Sequence, residues 1–273
     1  MNSIYIDAHL SDDARRQALY EGKIFVNAPA LETENFCQFA SNLIREAFDP
    51  LDPERAQWDL PVEKFVDILK ELKPRFIHHP QSKVYIQHIL ENSGCDMEKT
   101  YFDVPRLRTS TSNNYLTSGI AYAFHPHRDT WYSAPMCQIN WWMPVYEMHE
   151  GNGMALHTDY WDQEVPNSSG KFSYSEWQKN GRKNSASNVK TDTREQPGPT
   201  VAIELDSQLR LVTRPGGVIL FSAAHLHSSV PNETGKTRFS IDFRTVNIDD
   251  LQNGIGARNL DTHCQDLTLG DFL

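Results

Sequence analysis

The chain is short of cysteine and shows no pattern in what it has. Cys37, Cys95, Cys137 and Cys264 are scattered over 273 residues with no CxxC spacing, which points to free thiols in a reducing cytosol rather than a disulfide framework. Positive charge is also scarce. With 26 Lys and Arg against 36 Asp and Glu, the net charge is −10, which argues against nucleic acid or an anionic membrane as the main partner. No apolar run approaches the ~20 residues of a membrane span. The opening stretch "MNSIYIDAHLSDDARRQ" has no apolar segment of the signal-peptide kind. The expectation is a soluble cytoplasmic protein; the charge says nothing about a small-molecule substrate, and the oligomeric state is left open. Strands and helices do not alternate, which excludes a doubly wound parallel sheet, and no internal repeat is present.

What is there divides near residue 100. Residues 1–100 read as largely helical. "TENFCQFASNLIREAF" spaces Phe36, Phe39, Ala40, Leu43, Ile44 and Ala47 at a helical period, with Thr33 as the expected N-cap. "PVEKFVDILKELKP" repeats the pattern, and "SKVYIQHILENSG" is a third helix ended by Gly94. From residue 101 onward, short β-branched and aromatic runs alternate with turns: "YLTSGIAYAF", "APMCQINWWMPVY", "GMALHTDYW", "TVAIELD", "LRLVTRPGGVILFSA" and "TRFSIDFRTVNI". That texture predicts an antiparallel sandwich or barrel. Residues 162–199 are polar and rich in Ser, Asn and Lys. Phe172, Tyr174 and Trp177 within them suggest a lid-like insertion with something to pack on, against the alternative of a loose surface insertion.

The chemistry begins at "FHPHRDTWYSAP", residues 124–135. His127 and Asp129, two apart on extended backbone, leave the same face and could grip one ion. An H-x-D alone is weak evidence. About a hundred residues later, an apolar strand runs into "HLH", offering His225 or His227 as a third ligand. Two histidines and one carboxylate make a facial set with open positions, typical of non-haem Fe(II) oxygenases. In the following strand, period two puts Arg238, Ser240, Asp242 and Arg244 on one face and Phe239, Ile241 and Phe243 on the other. An arginine with a serine hydroxyl beside it forms a fork suited to a carboxylate.

In this order the pieces resemble the Fe(II)/2-oxoglutarate-dependent oxygenase superfamily, and its phytanoyl-CoA dioxygenase branch most. The carrying residues are "HRD…H…R" over 127–238, "RFS" at 238–240 and "WWMPVYEMHEGNGMALH". Residues 1–100 carry no motif of that family. The resemblance implies a mainly β fold with N-terminal helices: a double-stranded β-helix, or jelly-roll, core over 101–273, a helical buttress over 1–100, and one oxygenase domain spanning 1–273. It implies His127, Asp129 and His227 as iron ligands and catalytic centre, with 2-oxoglutarate and O2 as cosubstrates. Arg238 and Ser240 would hold the distal carboxylate of 2-oxoglutarate, and Trp142 would border it. Gln138 and Asn140 share a face with Trp142 by period two and are candidates for the cosubstrate's other end or the substrate. Trp131 is a candidate substrate contact, although aromatics beside such a site are more often packing. Halogenating relatives replace the carboxylate by Gly or Ala; Asp129 therefore favours oxygen chemistry, hydroxylation first, as in a tailoring step of specialised metabolism.

Two other readings stand beside it: a cupin-like metal isomerase or hydrolase without 2-oxoglutarate, and a non-enzymatic jelly-roll binding module. Arg244 rivals Arg238 as the clamp, or pairs with Asp242. Arg106 and Arg108 either face an anionic substrate or belong to a solvated edge strand.

Overall fold

The computed structural model describes residues 3–117, 125–176 and 196–272. Its elements run β1 (Ile4–Ile6), α1 (Asp12–Tyr20), β2 (Ile24–Asn27), α2 (Leu31–Phe48), α3 (Val62–Ile77), α4 (Pro80–Asn92), β3 (Thr100–Phe102), β4 (Arg106–Ser110), β5 (Ile139–Pro144), β6 (Met154–Leu156), α5 (Tyr174–Glu176), β7 (Leu209–Arg210), β8 (Val218–Ser222), β9 (His227–Ser229), β10 (Arg238–Asn247) and α6 (Ile248–Gln252).

The strands form two sheets. A seven-stranded sheet runs β1-β2-β8-β5-β10-β3, with β4 also paired to β10. A three-stranded sheet runs β7-β6-β9. From β5 onward the chain passes between the two sheets: β5, β8 and β10 lie in the large one, and β6, β7 and β9 in the small one. β10 is the spine of the large sheet. It pairs antiparallel with β4 through Arg238–Asp242, with β5 through Ser240–Thr245, and with β3 through Thr245–Asn247.

The alternation in β10 sets the layers. Phe239, Ile241 and Phe243 are fully buried and join Trp141, Met143 and Leu220 in one core with Phe36, Phe65, Leu69 and Phe76 of α2 and α3. The helices therefore cover one face of the large sheet. On its other face Ile24, Trp142, Ile219 and Phe221 pack with Leu156 and Met148, which places the small sheet there. Period two thus sends the polar side chains of β10 toward the space between the sheets.

The structure departs from expectation in three places. The first hundred residues also supply β1 and β2; β2 pairs with β8, so this part extends the large sheet as well as buttressing it. Thr33 is not the N-cap of α2. It lies a turn inside, where its hydroxyl oxygen accepts from the N–H of the capping residue Ala30 at 3.0 Å. "TVAIELD", residues 200–206, forms no strand, because alternation without a partner edge gives no ladder. Part of "YLTSGIAYAF", residues 118–124, lies outside the described residues, as does 177–195 of the polar insertion, including Trp177. The flanks of that insertion are tied together by a bridge between Asn167 and Pro199. Among the described residues no helix is long and apolar enough to cross a membrane.

Candidate metal centre

Two His-x-His segments meet across one bridge. The N–H of His127 donates to the carbonyl of His227 at 3.0 Å, and the N–H of His227 donates back at 2.9 Å. Residues exchanging both bonds send their side chains to the same side, and the two imidazoles lie 4.3 Å apart. The first histidine of each segment contributes its backbone instead. The Nδ1 of His127 meets the carbonyl of His125 at 2.8 Å, and that of His227 meets the carbonyl of His225 at 3.0 Å. A carbonyl only accepts, so each Nδ1 carries the proton and each Nε2 offers a lone pair.

Asp129 opens a 3-10 turn, Asp129–Tyr132, which swings its carboxylate toward both rings. Its Oδ1 lies 3.5 Å from His127 Nε2 and 4.0 Å from His227 Nε2. The donor atoms of the three residues all fall within 4.8 Å of one another, compact enough for one ion to touch all three. The donor set, two neutral imidazoles and one carboxylate, suits a first-row divalent metal such as Fe(II). Burial would raise the pKa of Asp129, but in acid, once the rings of His127 and His227 take up protons, their bond and charges together with Arg244 outweigh it and hold the carboxyl well below its ordinary range.

His225 stays out of the cluster. It sits in the turn before β9, where strand parity does not apply, and its ring packs at a tilt against Trp161, with centroids 4.4 Å apart. Burial, then the charge of His227, pushes its pKa down to about 3. Burial and His127 push that of His227 down to about 4, against the pull of Asp129. The unfolded chain protonates such groups near pH 6.5 while the folded one refuses, so stability is lost as pH falls from about 6.5 toward about 4. Melting temperatures of the metal-free protein should decline steadily across that window; a flat profile would contradict the burial of these rings as neutral bases.

The inner face of β10 and its neighbours holds four arginines. Arg108 grips Asp242 with Nε at 2.6 Å and Nη2 at 3.2 Å. Arg106 and Arg244 share the fully buried Asp103. Arg244 therefore pairs with Asp103, not Asp242, and is committed as a clamp elsewhere; Arg106 and Arg108 are ion-paired and half-buried rather than solvated. Arg238 alone of the four has no carboxylate partner among the described residues. Its Nη1 donates to Ser240 Oγ at 2.8 Å, its guanidinium lies over Trp142 at 5.4 Å, and its buried Nε has no partner among the described residues. Burial first, then the nearby Arg108, lowers its pKa to about 10, partly offset by Asp242. Trp142 shares its cluster with Phe221, whose ring is 5.1 Å from His227. The lone arginine and the histidines thus border one stretch of the inter-sheet space.

Three candidate residues have partners within the protein. Trp131 has no exposed surface to offer a substrate; its Nε1 donates to Asp261 at 2.8 Å within a cluster with Val165 and Leu226. Gln138 and Asn140 are on the expected face but are turned onto Asp129, with Asn140 Nδ2 donating to Oδ2 at 2.5 Å. Arg128, to which the sequence gave no role, and two aromatic residues complete the surroundings. The Arg128 guanidinium, between the two ligands in sequence, donates to Asp261 at 3.1 Å and to the carbonyls of Ala224, Tyr160 and Gln163. Tyr132 packs edge-on to His127 at 5.3 Å, and Phe172 of the polar insertion packs on Tyr132 at 5.3 Å.

No protein-family model and no curated protein sequence matches the chain. Among solved structures it is similar to EvdO2 from Micromonospora carbonacea var. aurantiaca, at 13% identity, covering 88% of this chain and 93% of that one, with a TM-score of 0.49. It is similar to SnoN, a non-haem alpha ketoglutarate dependent epimerase from nogalamycin biosynthesis, at 14% identity, 96% and 98% coverage and a TM-score of 0.41. It is also similar to EctD from S. alaskensis, at 17% identity, 93% and 83% coverage and a TM-score of 0.44.

Proposed function

We propose that the chain is a non-haem oxygenase that uses Fe(II), O2 and 2-oxoglutarate to hydroxylate a small organic molecule. On this reading residues 1–273 act as one cytoplasmic domain, and the two sheets are the halves of a double-stranded β-helix. The observation that carries the proposal is a pairing: a triad of His127, Asp129 and His227 on one side, and on the other a buried arginine, Arg238, with no carboxylate partner among the described residues. A cupin-like metal enzyme has no use for the second.

His127 and His227 would hold iron through Nε2, each fixed by its carbonyl partner. Asp129 would bind through Oδ1 and offset part of the ion's charge. Three protein ligands leave room for cosubstrate and oxygen. Bound there, iron would supply O2 activation coupled to oxidation of 2-oxoglutarate. Arg238 and the Ser240 hydroxyl, which is free to rotate its proton outward, would bind the distal carboxylate. Trp142 and Phe221 would wall the cosubstrate and exclude water.

The test is Arg238→Ala. Removing a charge-assisted pair from a shielded site costs about 2–4 kcal/mol, so the 2-oxoglutarate Kd should rise roughly 30- to 700-fold. Fe(II) affinity should be unchanged. If Arg244→Ala weakens 2-oxoglutarate and Arg238→Ala does not, the clamp is assigned to the wrong residue.

A further inference from the structure

The residues closest to Asp129 hold it in one orientation. Its two oxygens have different surroundings. Oδ1 faces the histidines at 3.5 and 4.0 Å. Oδ2 accepts the Nδ2 of Asn140 at 2.5 Å and lies 3.4 Å from the Nε2 of Gln138. That Nε2 also donates to Asn140 Oδ1 at 3.0 Å, which points the amide of Asn140 donor-first at the carboxylate. Gln138 is fully buried and Asn140 is 5% exposed. Asn140 sits in β5 between β8 and β10 and Gln138 immediately precedes it, with its carbonyl bonded to Ala223. Neither amide can turn away without breaking into packed sheet.

From this geometry we infer that Gln138 and Asn140 are positioning residues that hold Asp129 as a one-oxygen metal ligand. The inference rests on the metal centre proposed above. A carboxylate can take an ion through one oxygen or both. Here a second bond, through Oδ2, would have to share that oxygen with the donor of Asn140, which fixes the plane and reach of the carboxylate. The relay Gln138–Asn140–Asp129 therefore favours one-oxygen ligation through Oδ1 and leaves the neighbouring coordination position for an exogenous ligand.

The test uses Co(II) added to the metal-free protein, read by affinity and by visible absorption, which reports coordination number. Asn140→Leu removes the donor while keeping the branched skeleton of the side chain. Its Co(II) affinity should fall about 10- to 100-fold, the usual cost of losing a bond to a metal ligand. Its absorption band should change as the second oxygen enters, while the melting temperature before metal addition shows that the fold is kept. Gln138→Met acts one bond further out and should cost less, roughly 3- to 10-fold. The double variant should be little weaker than Asn140→Leu alone, because the two act as one chain. If Asn140→Leu does not fold, Gln138→Met carries the test. Folded variants with affinity within about twofold of wild type and an unchanged band would overturn the positioning role. Wild-type protein that binds no Co(II) would overturn the metal centre itself, a separate failure.

Discussion

A His227→Ala variant is expected to lose Fe(II) binding by at least ~100-fold, beyond the usual cost of losing only a supporting hydrogen bond. It removes one of three donors whose atoms lie within 4.8 Å, and two cannot enclose the ion. The fold should survive, because the bridge to His127 is made by backbone atoms at 3.0 and 2.9 Å. His225→Ala is the matched control. It truncates a buried imidazole in the same turn, yet the bond that orients His227 comes from the carbonyl of residue 225, which alanine retains. Metal affinity should therefore persist in His225→Ala. Isothermal titration with Fe(II) under anaerobic conditions separates the two. Loss in His225→Ala with retention in His227→Ala would exchange their roles.

Asp261→Ala is expected to be the most damaging substitution away from the ligands. Arg128 and Asp261 are side chains only 3% and 5% exposed. Removing one partner of such a pair leaves a buried charge uncompensated, at a cost of about 3–5 kcal/mol. For a chain of this length that corresponds to a fall of roughly 6–20 °C in Tm. The same carboxylate also accepts from Trp131 Nε1 and from the N–H of Val165, so the 3-10 turn that aims Asp129 loses an anchor. Asp261→Asn, which keeps an acceptor for Trp131 but not the charge, should fall between Asp261→Ala and the wild type. A Tm for Asp261→Ala within about 2 °C of wild type would show that the pair contributes less than roughly 1 kcal/mol.

The parts of this site that obey a period were legible in the sequence. His127 and Asp129 two apart, and Arg238 and Ser240 on one face of a strand, follow from local spacing; the choice of His227 over His225 rests on the family resemblance alone. So does the division of β10 into an apolar face against the helices and a polar one against the small sheet. What local spacing does not carry is partnership. Period two put Gln138 and Asn140 on the inner face, but only the 3-10 turn at Asp129–Tyr132 brings the carboxylate onto their amides. Arg244 was a plausible clamp until Asp103, on a distant segment, took its guanidinium. Trp131 looked available because an aromatic next to a ligand can face either way, and its burial depends on Asp261, some 130 residues on. Short strands fared worst: β1 and β2 have three and four residues, too few to show a period, and they exist because β8 offers an edge. "TVAIELD" has the period and no edge.

The most direct test of the account is an anaerobic titration of metal-free protein with Fe(II) and then 2-oxoglutarate, watching for the visible metal-to-ligand charge-transfer band of the ternary complex. The account predicts the band in the wild type, its loss in His127→Ala, and a shift to higher 2-oxoglutarate concentrations in Arg238→Ala. Iron binding without the band at any 2-oxoglutarate concentration would contradict it.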